Sequence, residues 1–153
     1  MTRLTDALHA LAVTAWVGAL WAVGLLAAPT LFDALPDRSM AGLLAGRMFL
    51  YVSVLGLGCG AYLLLFRLAR FGGEALRQWI FWVVLLMVLL TALGEFAVQP
   101  ILEGLKDQAL PYQVMESVFR DRFAAWHGVA SLLYLIECAL GVVLVLLQES
   151  APR

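Results

Sequence analysis

The sequence has few charged residues: Asp, Glu, Lys and Arg make up 14% of its 153 residues, whereas 63% are hydrophobic. A soluble domain keeps about a quarter of its residues charged, because its surface faces water. The net charge of −1 provides no basic surface for phosphates, which argues against a nucleic-acid partner. The composition therefore predicts a single domain over residues 1–153 whose surface faces a lipid bilayer.

Cysteine is also scarce, since only Cys59 and Cys138 are present and both lie within apolar runs. This placement provides neither a disulfide framework nor the spacing of zinc ligands, so we expect both thiols to pack as small hydrophobic side chains. The sequence lacks a serine-nucleophile elbow, a phosphate-binding loop and a pair of catalytic carboxylates. No motif specifies a reaction, and a non-enzymatic protein is the expected class.

Long hydrophobic runs are abundant. A membrane-spanning helix needs about 20 apolar residues to cross about 30 Å of hydrocarbon. Four stretches meet this requirement: Leu8–Ala28, Leu43–Phe66, Gln78–Val98 and Ala125–Leu147. Pro29 is expected to kink or end the first span, and Asp37 or Ser39 to cap the second. The sequence thus predicts an all-α integral membrane four-helix bundle.

The last connection, Gln99–Ala124, contains Pro100 and Pro111, and both are expected to interrupt it. After Pro111, apolar residues recur at helical spacing, while acidic and basic residues fall between them. The apolar residues are Val114, Met115, Val118, Phe119 and Phe123. This pattern predicts a short amphipathic helix that lies in the outer membrane interface.

The distribution of basic residues indicates the direction of the spans. Arg67, Arg70 and Arg77 lie in the short loop between spans two and three, whereas the loop between spans one and two has only Arg38. Short basic loops stay in the cytoplasm. We therefore expect both termini to be cytoplasmic.

The second span contains two pairs of glycines four residues apart, Gly42/Gly46 and Gly56/Gly60. Small residues let membrane helices approach closely, because lipid provides no hydrophobic force between them. We expect this close approach to occur within the bundle. The alternative is contact with a second copy of the chain or with another protein of a membrane complex.

Polar residues from three spans are predicted to lie at one depth near the outer membrane surface: Arg47, Glu95 and His127. One expectation is that these residues pair with one another, which lowers the cost of burying them. The other is that they form an outward-facing pocket that binds a small solute or metal ion, or that passes protons. Neighbours at helical spacing extend this cluster. The candidate binding residues are Arg47, Glu95, Gln99, His127, Ser131 and Tyr134.

Two ionisable residues lie apart from this cluster. Glu137, near the middle of span four, is expected either to hydrogen-bond a neighbouring helix or to face a partner protein. His9 precedes Trp16 on span one, a pattern that makes haem b a candidate cofactor. His9 and His127 are predicted to lie at opposite membrane faces, about 27 Å apart, so they cannot ligate one iron. The candidate metal ligands are His127, Glu95 and His9.

Several segments resemble one known family. They are Leu8-His9-Ala10, Ala15-Trp16-Val17-Gly18, Ala28-Pro29-Thr30-Leu31-Phe32, Gly46-Arg47-Met48-Phe49, the glycine-rich run 55–60 and the run 123–131. Together they resemble the transmembrane protein 205-like family, catalogued as domain of unknown function 4149. The resemblance implies a small four-span bundle in the bacterial inner membrane without an established reaction. Eukaryotic members of that family are linked to resistance to a platinum drug, which implies metal or drug handling. The motifs of the family point to Arg47, His127 and Ser131.

The first span also resembles copper-resistance D-type and HemJ-type membrane domains, in which a Trp follows a His by about seven residues. The continuation at residues 27–32, Ala-Ala-Pro-Thr-Leu-Phe, differs from the Leu-Pro-Arg-like continuation of the HemJ-type oxidases and argues against that activity. Three functions stay open: a bundle that handles a small solute or metal ion, an accessory subunit of a membrane complex, and a haem-binding redox protein.

Overall fold

The computed structural model of the chain describes residues 3–110 and 113–149. Four long helices follow one another in this part of the chain: α1 Arg3–Ala34, α2 Arg38–Phe71, α3 Trp79–Ala109 and α4 Arg120–Glu149. Short 3₁₀ segments, Gly72–Arg77 and Val114–Glu116, precede α3 and α4. All four helices are long and apolar enough to cross a membrane. The predicted integral membrane four-helix bundle is confirmed.

The helices extend beyond the spans predicted from apolar residues. Helix α2 has 34 residues, a length of about 51 Å, which exceeds the hydrocarbon thickness. Asp37 caps this helix, since its carboxylate accepts from the backbone N–H of Ser39 at 2.8 Å and of Met40 at 3.3 Å. Of the two candidate caps, Asp37 is therefore the one used.

Two prolines lie inside helices that continue past them. Helix α1 continues through Pro29, and α3 continues through Pro100. In each helix a π-helical segment precedes the proline, at Ala22–Ala27 and at Gly94–Val98. Pro100 therefore does not interrupt the third connection as predicted, and Pro29 does not end α1. We call the end of the bundle that holds both prolines the proline end.

Hydrogen bonding explains why the chain stays helical at these prolines. The N–H of Ala28 donates to the carbonyl of Val23, and the N–H of Gln99 donates to the carbonyl of Gly94, both five residues back. A proline lacks an N–H, and its ring clashes with the carbonyl four residues before it. A widened turn accommodates both defects without ending the helix.

The amphipathic segment lies earlier than predicted. Helix α3 ends with the amphipathic stretch Gln99–Ala109, which buries Leu102 and Leu105. Pro111 lies outside the described residues, and the stretch after it forms only the 3₁₀ turn Val114–Glu116 before α4 begins. A separate helix of so few residues is marginal, because each new helix needs a costly nucleus. The predicted interfacial helix after Pro111 is therefore replaced by the end of α3.

Contacts at the end of the bundle opposite the prolines join α1 to α2 and α4. Asp6 pairs with Arg70 at 3.3 Å. The His9 ring lies 5.3 Å from the Phe66 ring, centroid to centroid, and His9 Nε2 lies 3.2 Å from Nε2 of Gln148. We call this the arginine end. The start of α1 and the end of α4 share it with the α2–α3 connection, which is the relative arrangement that the sequence predicts.

Trp16 lies at the centre of the bundle and is fully buried. Its indole ring occupies the space next to Gly56 and Gly60 of α2, where a Cβ atom would lie no more than 3.0 Å from the ring. A Cβ at Gly60 would also overlap Val88 of α3. This glycine pair therefore packs inside the molecule, as expected, and it packs against a tryptophan side chain from α1.

Replacing Gly56 with alanine is expected to destabilise the bundle. The new methyl group would occupy the position of the rigid indole, and overpacking of this kind costs about 1–3 kcal/mol in the free energy of unfolding. Gly58→Ala is the matched control, because a Cβ at Gly58 meets nothing within 4 Å. Denaturation in detergent measures both, and equal stabilities would show that the Trp16 contact does not require Gly56.

Candidate functional site

Tyr134 joins three helices on the arginine-end side of the predicted polar cluster. Its hydroxyl donates to the backbone carbonyl of Leu20 at 2.6 Å. Its ring packs edge-on against Phe49 with centroids 5.0 Å apart, and it also fills the space beside Gly24, in the π-helical segment of α1. Tyr134 therefore crosses the centre of the bundle and holds α4 against α1 and α2.

His127 and Ser131 lie on the stripe of α4 that includes Tyr134, at steps toward the proline end. Both side chains are exposed. The Ser131 hydroxyl donates to the backbone carbonyl of His127 at 2.9 Å, and the His127 imidazole stacks on Phe123 with centroids 5.8 Å apart. These two residues therefore lie on the surface of α4 near the proline end, whereas Tyr134 is half-buried.

Glu95 and Gln99 lie within and just after the π-helical segment of α3, and both are half-buried. This segment packs against α4, the helix that presents His127. Within residues 3–110 and 113–149, no ion pair joins Glu95 to a basic side chain. Glu95 is thus a half-buried acidic side chain without a charged partner in the described structure.

Arg47 faces away from the centre of the bundle. It is exposed, and it follows the buried Ala45 by two residues, a rotation of about 200° around the helix. In the described part of the chain, no ion pair connects Arg47, Glu95 and His127. The three residues share the proline end, but the structure does not bring their side chains together.

The helices pair as two hairpins at the proline end. The end of α1, Ala28–Ala34, packs mainly on α2. The end of α3, Gln99–Ala109, packs mainly on α4 and on the 3₁₀ turn before it. Most of the candidate residues therefore belong to the α3–α4 hairpin, and Tyr134 reaches from that hairpin to the other.

A lipid-facing groove of about 230 Å³ lies elsewhere, between α1 and α2. Its walls are almost entirely apolar, and they contain no charged side chain. They consist of Ala19, Val23, Met48, Tyr51, Val52 and Leu55. None of the candidate binding residues contributes to this groove, so it is separate from the polar site.

The arrangement of histidines and acids limits how a metal ion can bind. Among the described residues, no three His, Cys, Asp or Glu side chains converge on one point. His9 lies at the arginine end and His127 near the proline end, so the two cannot share a metal ion, as the sequence predicts. A metal ion at Glu95 or His127 would need further ligands such as the Gln99 amide oxygen, backbone oxygen atoms or water.

The most deeply buried acid of the described structure is Glu137, which is only 5% exposed. Its Oε1 lies 2.7 Å from the Thr91 hydroxyl on α3. The Trp16 indole lies beside the same carboxyl group, but its Nε1 has no hydrogen-bond partner among the residues described. Of the two expected roles for Glu137, the bond to a neighbouring helix is therefore correct, and the role facing a partner is wrong.

Sequence reasoning did not identify Thr91 as the partner of Glu137. Thr91 lies four residues before Glu95, on the same stripe of α3. A polar residue within an apolar run of α3 was the available signal, but the sequence does not show which side of that run faces α4. The pairing appears only when the two helices are packed.

Removing the Tyr134 hydroxyl is expected to weaken the α1–α4 contact. Tyr134→Phe loses the hydrogen bond to Leu20, and interhelical bonds of this kind stabilise membrane proteins by about 0.6–2 kcal/mol. The free energy of unfolding in detergent measures the loss. Tyr51→Phe is the control, because Tyr51 is 69% exposed on the lipid-facing side of α2. A Tyr134→Phe protein as stable as this control would contradict the role of the hydroxyl.

Comparison with known proteins identifies one matching family. A family model described as a domain of unknown function (DUF4149) matches residues 11–111. The match begins within α1 and includes all of α2 and α3, and thus most of the chain. Comparison with curated proteins and with solved structures gives no match.

Proposed function

The chain belongs to the DUF4149 family, and from the site that its helices build we propose that it binds a small solute or metal ion at the proline end, without catalysing a reaction. The resemblance to the transmembrane protein 205-like group supports this role, because it implies metal or drug handling. In this proposal the protein lies in the bacterial inner membrane, with the proline end outside and both termini cytoplasmic. The arginines of the α2–α3 connection support that orientation.

The proposal rests on the surroundings of Glu95. A charged side chain within a membrane costs several kcal/mol unless a partner or water compensates for it. Glu95 is half-buried in a π-helical segment, and the described structure gives it no basic partner. Such segments are frequent at functional sites. A bound cation would supply the compensating charge.

Neighbouring side chains provide further ligand atoms. Gln99 follows Glu95 on α3, and its amide both donates and accepts hydrogen bonds. His127 and Ser131 of the adjacent helix α4 are exposed and give access from the proline end. Tyr134 limits the site toward the bundle centre. Arg47 faces outward on α2, so we place it at the edge of the site.

The proposal predicts that Glu95→Ala weakens the binding of Zn²⁺ or Cu²⁺ by about tenfold or more, since a bond to a charged group contributes about 1.5–3 kcal/mol. Isothermal titration and elemental analysis of the detergent-purified protein measure this. The control is Glu103→Ala, which removes an exposed carboxylate from the same helix. A folded Glu95→Ala protein with unchanged affinity would remove Glu95 from the site, and a wild-type protein that binds neither ion contradicts the metal-ion form of the proposal.

The absorption spectrum of the same wild-type sample separates this role from that of a haem protein. A Soret band would assign haem b to His9 or His127 as a single axial ligand. A colourless protein that binds a divalent ion would support the proposal and reject the redox alternative.

One observation favours a second role, as an accessory subunit or homo-oligomer. A Cβ at Gly46 meets nothing within 4 Å, and one at Gly42 meets only Phe32, at 3.9 Å. This part of α2 therefore has open space on its surface where a partner helix can approach closely.

Gly46→Leu is expected to abolish copurification of a stoichiometric partner or second copy in mild detergent. The bulky side chain would keep the partner helix away from α2. Gly18→Leu on α1, where a Cβ also meets nothing, is the control. A wild-type protein that is a lone monomer would argue against this second role.

A further inference from the structure

The contact between Thr91 and Glu137 has no part in the proposed function. The number of hydrogens available to it bears on whether Glu137 is protonated. The Thr91 hydroxyl lies 2.9 Å from the backbone carbonyl of Met87 and 2.7 Å from Oε1 of Glu137. Both distances are those of hydrogen bonds. A threonine hydroxyl has only one hydrogen to donate, so it cannot donate to both oxygen atoms.

A protonated Glu137 satisfies all three oxygen atoms. Threonine in a helix commonly donates to the carbonyl four residues before it, which here is Met87. The Thr91 oxygen is then free to accept, and a carboxylic acid at Glu137 can donate to it. A carboxylate at Glu137 would take this hydrogen from the Met87 carbonyl, which still accepts the helix N–H of Thr91. The hydrogen count alone therefore fits both forms, and the burial of Glu137 and the charges around it decide between them.

The surroundings of Glu137 provide no positive charge that would favour a carboxylate. Within the described residues, no basic side chain forms an ion pair with it. The polar side chains facing it are Thr91 on α3 and Trp16 on α1. Its own helix supplies two groups that can only become negative, Tyr134 and Cys138. On α2 the titratable groups in the same core are Cys59 and Tyr62, and neither can carry a positive charge.

We propose that Glu137 is a proton-binding site in the centre of the bundle, where a carboxylic acid donates to Thr91 and joins α4 to α3. Release of this proton to water would leave a buried carboxylate beside Thr91 and weaken the contact between the two helices. This site stands apart from ligand binding at Glu95, and it holds even if no solute or metal ion binds there.

The polar residues of α4 indicate the side from which the proton exchanges. Tyr134 precedes Glu137 by one turn, and the exposed Ser131 and His127 continue toward the proline end. Residues 139–147, on the side of the arginine end, are all apolar or glycine. We therefore expect proton exchange on the proline-end side, where α4 is the more polar.

Infrared spectroscopy of the full chain in lipid vesicles tests the proton directly. At neutral pH, the wild-type spectrum is expected to contain the C=O band of a protonated carboxylic acid, and E137Q is expected to lack it. T91V is expected to retain the band but to shift it to higher frequency, because the acid loses its acceptor. E103Q, which changes an exposed acid of α3, is the control and should lose only carboxylate bands.

The proposal would be overturned if the wild-type spectrum has no protonated-acid band, or if its protonated-acid band remains in E137Q. A band that is identical in wild type and T91V would overturn the assignment of Thr91 as the acceptor. If E137Q does not fold, the difference between wild type and T91V still decides, because a carboxylate at Glu137 would give no shift in the protonated-acid region.

The pH dependence of stability tests the consequence for the helices. A contact that requires a bound proton is present at low pH and is lost as the pH rises through the ionisation of Glu137. The denaturation midpoint of the wild type is therefore expected to fall at alkaline pH relative to that of E137Q, whose amide keeps its hydrogens. E103Q should fall as the wild type does. Parallel curves for wild type and E137Q would contradict the proposal.

Discussion

The contact of Trp16 with the glycines of α2 is the constraint on which the rest of the bundle depends. Lipid tails are as apolar as the helices, so association requires close packing and polar contacts. The missing side chains of Gly56 and Gly60 leave room for the indole, which sets the spacing of α1 and α2. The same indole lies beside Glu137 of α4. One side chain thus connects the glycine contact with the polar contact in the centre.

Pro29 and Pro100 determine how the helices continue at the proline end. Each lies after a widened turn, so α1 and α3 continue beyond them instead of ending within the membrane. Beyond Pro29 and Pro100 the end of α1 packs mainly on α2 and the end of α3 mainly on α4, and most of the candidate polar residues belong to the α3–α4 hairpin. The centre and the proline end are therefore shaped by different features: glycine packing in one case and proline accommodation in the other.

The sequence predicts the number of spans well because apolar length is a local property. It predicts the facing of side chains poorly, because a helix with lipid on one side and protein on the other is apolar all round. Trp16 is fully buried whereas Trp79 is 79% exposed, although both lie in apolar runs. The depth of Arg47 could be estimated in the same way, but its outward direction could not. Neither the Thr91–Glu137 bond nor the continuation of α3 through Pro100 could be predicted without knowing how the helices pack.

The bonds that close the bundle join residues far apart in the chain, which has a consequence for biosynthesis. Leu20 receives its bond from Tyr134, and the Trp21 indole donates to the Cys138 carbonyl at 3.3 Å, a separation of 117 residues. A nascent chain that has inserted only three helices still lacks Glu137, so Thr91 and Trp16 remain without it in the bilayer. Insertion of the fourth helix is therefore the step that converts an intermediate, in which α1 and α3 lack their contacts with α4, into the packed bundle.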